Sequence, residues 1–145
     1  MLEGGYSATD ELKRVDHLIF VTLKYTRTVD IIRNVLKRLQ SSIDYAAVEI
    51  MEWAHKEGKI EKVPVAPLLR LQYLEQIFPK DKEVKDIVDF YMKNRTILLS
   101  EYKKKEEYRK NVALVTNDYE ITIDKLKELA EKTKNYIYYL KELME

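Results

Sequence analysis

The stretch FVTLKYTRTVDIIRNVLKRL, residues 20–39, decides how the chain folds. It lies inside a helical apolar pattern, yet Thr22–Thr28 holds three threonines, a tyrosine and two cations. Either it separates two helices or it is a polar surface carried on one. From Tyr6 to Glu57 there is neither glycine nor proline. Apolar positions recur at Val15, Leu18, Thr22, Tyr25, Val29, Ile32, Leu36, Leu39, Ile43, Ala46, Ile50 and Trp53, a strict alternation of three and four. That unshifted register predicts one very long helix, or two nearly collinear ones with a distortion at 24–28. Thr26 and Thr28, whose hydroxyls compete for backbone groups, are the alternative caps. An unbroken helix of roughly 48 residues would span about 70 Å and protrude unless a partner covered it.

Upstream, MLEGGYSA (residues 1–8) reads as a flexible leader, with Thr9 as N-cap before Asp10 and Glu11, so the domain is expected over 9–145. Downstream, Gly58 marks a helix end and Pro67 a helix start. The intervening helix carries Leu68, Leu71, Leu74 and Phe78 inward. A second long helix of about 28 residues is expected over 83–111. The period then changes: NVALVTNDYEITIDK (residues 111–125) alternates around TND and predicts a β-hairpin near 112–123. Asp124 is the expected cap of a last helix bearing Leu126, Leu129, Thr133, Tyr136, Ile137 and Leu140 inward. The fold class is therefore mainly α, a bundle of about four helices with one short hairpin.

The 145 residues suffice for one domain with a core. They are 46% hydrophobic and 35% charged with a formal net charge of +1, so bulk charge selects no partner. With no cysteine, disulfide and thiolate chemistry are excluded and a reducing compartment fits. No apolar run approaches the roughly 20 residues of a membrane span, and no signal peptide is visible, so a soluble, cytoplasmic protein is expected with no membrane contact. Abundant Lys, Glu, Ile and Tyr beside only three glutamines give a thermophile-like composition.

Reaction chemistry is hard to find. Neither His17 nor His55 has an acidic or histidine neighbour four residues on, the spacing of many helical metal sites, so no metal site is expected. The three glycines form no phosphate-binding fingerprint, and no serine sits in a nucleophile elbow, so neither a cofactor nor a catalytic residue is assigned. Glu107 and the other carboxylates read as solvated faces. Two basic segments remain. Lys24, Arg27, Arg33, Lys37 and Arg38 stand against one acid, Asp30, with Tyr25 and Thr28 among them. KKKEEYRK (residues 103–110) adds five cations beside Tyr102 and Tyr108. Cations interleaved with hydroxyls and aromatics suit RNA or another phosphate-bearing ligand. The candidate binding residues are Lys24, Tyr25, Arg27, Thr28, Arg33, Arg95, Lys104 and Arg109. The plainer reading of both segments is an ordinary charged helix face.

The order of DYAAVEIMEWAHKEGKI (residues 44–60), LLRLQYLEQIF (68–78) and VKDIVDFYMKNRTILLSEY (84–102) resembles that of HEPN-type domains. The resemblance implies a cytoplasmic four-helix bundle of archaea or bacteria, commonly dimeric and associated with RNA-cleaving toxins or their nucleotidyltransferase partners. The segment LKYTRTVDII (residues 23–32) also resembles uncharacterised archaeal proteins. Catalytic HEPN members carry Arg, four to six residues, then His. Arg95 is followed by TILLSEY and Arg109 by KNVALVT, so the histidine is absent and cleavage is not carried over. The expectation is a non-catalytic, dimeric binding module. The alternatives are a protein–protein adaptor, or an enzyme assembled from scattered residues such as Asp44, Glu49, Tyr91 and Arg95.

Overall fold

A computed structural model of the chain describes residues 6–145, so positions 1–5 of the expected leader lie outside the described residues. The rest of that leader is packed. Ala8 is fully buried, and the Tyr6 ring lies 5.3 Å from that of Tyr45. Ser7, not Thr9, caps the first helix. Its hydroxyl accepts from Asp10 N at 3.3 Å, while the Asp10 carboxylate accepts from Ser7 N at 2.9 Å, a capping box.

Helix α1 runs over Ala8–His17, passes through a π-helical turn at Leu18–Thr22 and ends with Leu23–Tyr25. The chain then breaks. Thr26 and Thr28 are extended, and the Thr28 hydroxyl accepts from Ile31 N at 3.3 Å as the N-cap of α2 (Val29–Lys56). Of the two expectations, the unbroken helix does not form and the break falls inside 24–28, but the two helices are not collinear. The expected seam holds at Val15, which is buried, but not beyond it: Ile19 and Leu23 are buried, whereas Tyr25 is 79% exposed. The wider π turn lets successive inward positions fall four apart, so the phase shifts before the break. Past the break α1 folds back on α2. Arg38 Nη1 meets Glu11 Oε1 at 2.8 Å, and Tyr6 packs on Tyr45. Magnitudes favour the fold-back. Burying a side chain such as Ile19 or Leu23 contributes about 2 kcal/mol, against about 1 kcal/mol for each backbone hydrogen bond given up at the break.

Helix α2 is the central element, packing on α1, on all three later helices and on the sheet. Its buried set includes Ile32, Leu36, Leu39, Ile43, Ile50 and Met51, with Ala46 and Ala47 allowing close approach. It closes at Gly58, whose φ of +73° permits a bond from Lys59 N to Ala54 O at 2.8 Å. Trp53 is half-buried and stacks on Phe78 with ring centroids 6.2 Å apart.

Pro67 opens α3 (Pro67–Ile77), which buries Leu71 and Leu74. Arg70 donates to Pro64 O at 3.0 Å and Val65 O at 2.7 Å, fixing the preceding loop. Asp81 caps α4 (Lys82–Leu99), accepting from Val84 N at 3.0 Å. This helix stops about a dozen residues before the expected end. Thr96 and Ser100 direct their hydroxyls back to Met92 O and Thr96 O at 3.0 and 2.6 Å, and Ser100 turns extended. Instead of helix, Lys103–Lys105 forms strand β1.

The expected hairpin is present as β2 (Ala113–Val115) and β3 (Glu120–Thr122), joined by a turn in which the Thr116 hydroxyl accepts from Tyr119 N at 2.9 Å. With β1 it makes a three-stranded antiparallel sheet ordered β1-β2-β3. Lys104, Leu114 and Ile121 lie opposite one another and share a face, the last two buried. Thr122, not Asp124, caps α5 (Ile123–Glu142) through Lys125 N at 3.1 Å. Among the described residues the architecture is mainly α, five helices with a small sheet. Among the described residues, no helix is long and apolar enough to cross a membrane.

Candidate functional site

The break and the basic loop meet at one end of α2. Tyr108 N donates to Arg27 O at 2.7 Å, and Val29 N donates to Glu107 Oε2 at 2.7 Å. Thr28 and Glu107 together satisfy two of the N–H groups that a helix start leaves without intrahelical partners. The Glu107 charge also sits favourably at the positive helix end. Glu107 is thus a cap, where its sequence neighbourhood reads as a solvated face. An acid supplied from 78 positions away leaves no local signal.

Lys104, opposite Leu114 in the sheet, reaches Asp30 at 3.4 Å and Glu107 at 3.7 Å. Asp30 chiefly, then Glu107, hold its ammonium above the usual lysine range. The loop pays for this docking in conformation: Glu106 and Tyr108 adopt φ of +53° and +68°, left-handed values uncommon outside glycine. Arg33 donates from Nη2 to Leu98 O at 2.9 Å, its guanidinium 5.5 Å from the Tyr102 ring centre. It braces the end of α4 against α2.

The remaining candidates divide. Lys24 lies over Tyr25, 5.9 Å from the ring centre, and Tyr25 and Tyr108 are 79% and 73% exposed. Among the described residues, Lys24, Arg27, Lys103, Arg109 and Lys110 form no ion pair. Arg95 is exposed on α4 and takes no part in the contacts joining the two segments; its charge bears on Tyr91. So Lys24, Tyr25, Arg27, Thr28, Arg33, Lys104 and Arg109 belong to the two joined segments. Thr28, Arg33 and Lys104 are engaged in holding the junction.

A second polar cluster joins α2 to α4. Tyr91 donates its hydroxyl to Asp44 Oδ1 at 2.7 Å. Burial first, against the pull of Tyr91 and Arg70, pushes the Asp44 carboxyl above its ordinary range, and burial and Asp44 push the Tyr91 phenol up strongly. Donor and acceptor satisfy one another, so the pair ties α2 to α4. Among the described residues no group of His, Cys, Asp and Glu could hold a metal ion. Comparison with family models, with curated proteins and with solved structures finds no match to the chain.

Proposed function

We propose that the chain is a non-catalytic helical module that binds single-stranded RNA at the α1–α2 break and the 103–110 loop. The supporting observation is the bond from Tyr108 N to Arg27 O, which joins two segments that each carry cations and an exposed tyrosine. Lys24, Arg27, Arg109 and Lys110 would meet backbone phosphates, while Tyr25 and Tyr108 offer faces on which bases stack. A net charge of +1 gives little long-range attraction, so binding rests on the local patch and weakens with salt. The absent histidine after Arg95 and Arg109 favours binding without cleavage, and the lack of cysteine suits a cytoplasmic setting.

The test is an anisotropy titration of labelled single-stranded RNA with the parent and with Tyr25→Ala/Tyr108→Ala. Stacking contributes about 1–3 kcal/mol per base, so the double variant binds at least about tenfold more weakly. Equal affinities would falsify the stacking role.

A second reading, self-association, is supported by Phe20 and Val21, 60% and 44% exposed in the π turn just before Tyr25. A homodimer through this side of α1 would also fit the HEPN resemblance. Sedimentation equilibrium decides it: Phe20→Ser lowers the association constant if this surface pairs, and a monomer at every concentration excludes the dimer.

A further inference from the structure

Helix α4 and helix α5 diverge beside the β3 edge and leave a groove of about 460 Å³, within the range of small-molecule sites. This groove involves none of the residues assigned to RNA. Its walls are aromatic: Phe90 and Tyr136 meet edge-to-face with centroids 5.3 Å apart. Asn94 is part of the lining and only 4% exposed. Its amide is fixed from behind, because Nδ2 donates to Leu36 O at 3.1 Å and to Gln40 Oε1 at 2.9 Å. Gln40 is itself held by Tyr91 O at 3.2 Å. With its amide hydrogens directed into the protein, Asn94 has only its carbonyl oxygen to offer a guest. Lys93, Lys125 and Lys132 line the same groove and outnumber the carboxylates of Asp86 and Asp89. Lys132 Nζ already lies 5.9 Å from the Phe90 ring centre, so positive charge stands directly over the aromatic wall.

We propose that this groove binds a small planar aromatic anion bearing an N–H donor on its ring edge. The ring packs against Phe90 and Tyr136, the N–H donates to Asn94 Oδ1, and the anionic group faces Lys93 and Lys132. A preorganised acceptor rejects analogues lacking the donor, because it is then desolvated without a partner.

Three probes test each component by calorimetric titration of the full chain. Indole-3-acetate has the ring, donor and carboxylate; 1-naphthaleneacetate lacks the N–H; tryptamine replaces the carboxylate with an ammonium. Indole-3-acetate is expected to saturate the protein, and the other two to bind at least about tenfold more weakly. Lys93→Gln/Lys132→Gln, both changes on the protein surface, should weaken indole-3-acetate severalfold while leaving the thermal midpoint in place. The proposal is overturned if indole-3-acetate fails to saturate by about 5 mM, if the three probes bind alike, or if the lysine variant binds like the parent. A groove built for the helix of a protein partner would give the first of these results.

Discussion

Glu107 accepts the backbone N–H of Val29 at 2.7 Å, so an acid in the basic loop closes the first turn of the central helix. Glu107→Ala leaves that N–H without its partner and removes one of the two acids facing Lys104. The loss is about 1–2 kcal/mol, the size of a helix cap. Urea unfolding should show a lower midpoint with an unchanged slope, and Glu107→Gln should recover part of it. An unchanged midpoint in the alanine variant would mean that the contact adds nothing to stability.

The Asp44–Tyr91 tie predicts a pH dependence of definite sign. Burial raises the Asp44 carboxyl, so the folded state holds that proton to higher pH than the unfolded chain does. The favourable contribution is therefore present at low pH and is lost as pH rises through the folded value. Asp44→Asn keeps an acceptor for the Tyr91 hydroxyl without a buried charge. Its melting point should exceed the parent's at pH 7, and the two should converge near pH 3. A variant less stable at pH 7 would show that the charge is needed there.

These two sites show why sequence reveals the fold better than the junction. Val84, Ile87, Leu126 and Ile137 fall where helical periodicity puts them, and Leu114 and Ile121 where alternation does, because burial acts on local spacing. The α1–α2 break was legible only as one of two alternatives, and the fold-back not at all, because Leu18, Thr22 and Tyr25 continue the register in sequence while Ile19 and Leu23 fill the core. A π turn has no residue signature. Strand β1 was hidden in a lysine run whose only reason to extend is pairing with β2, a tertiary cause. The cations and tyrosines at the site were legible one by one. The contact between Tyr108 and Arg27 was not.

Tyr139 donates to Asp81 Oδ2 at 2.5 Å, tying α5 to the start of α4. Asp81, then burial, pushes the Tyr139 phenol up to about 12. The neutral phenol is the form favoured by folding, so this contribution is whole below pH 10 and disappears as pH rises through about 12. Tyr139→Phe should cost about 1 kcal/mol at pH 7, a hydrogen bond to a carboxylate discounted for solvent screening. Denaturation at pH 7 and at about pH 8.5 should give the same difference, which should shrink between pH 10 and about 12, and a gap that closes already at pH 8 would contradict the assignment.

Gly58 stands at φ +73° with nothing within 4 Å of where a Cβ would lie. Gly58→Ala therefore meets no clash, and its cost is that of the left-handed backbone alone, about 1 kcal/mol. Gly58→Asn should cost less, since asparagine tolerates that region. Thermal unfolding that ranks alanine at or above glycine would show that the turn rearranges.

The most direct measurement is the salt dependence of RNA binding. Single-stranded RNA titrated over a series of salt concentrations should give a log–log slope of about −3, from about four phosphates at roughly −0.7 each. Arg27→Ala/Arg109→Ala should halve that slope and weaken binding about tenfold at low salt, with the RNA intact on a denaturing gel. A parent that binds no RNA at low salt, or a double variant with the parent's slope and affinity, would contradict the assignment of this junction as the RNA-binding surface.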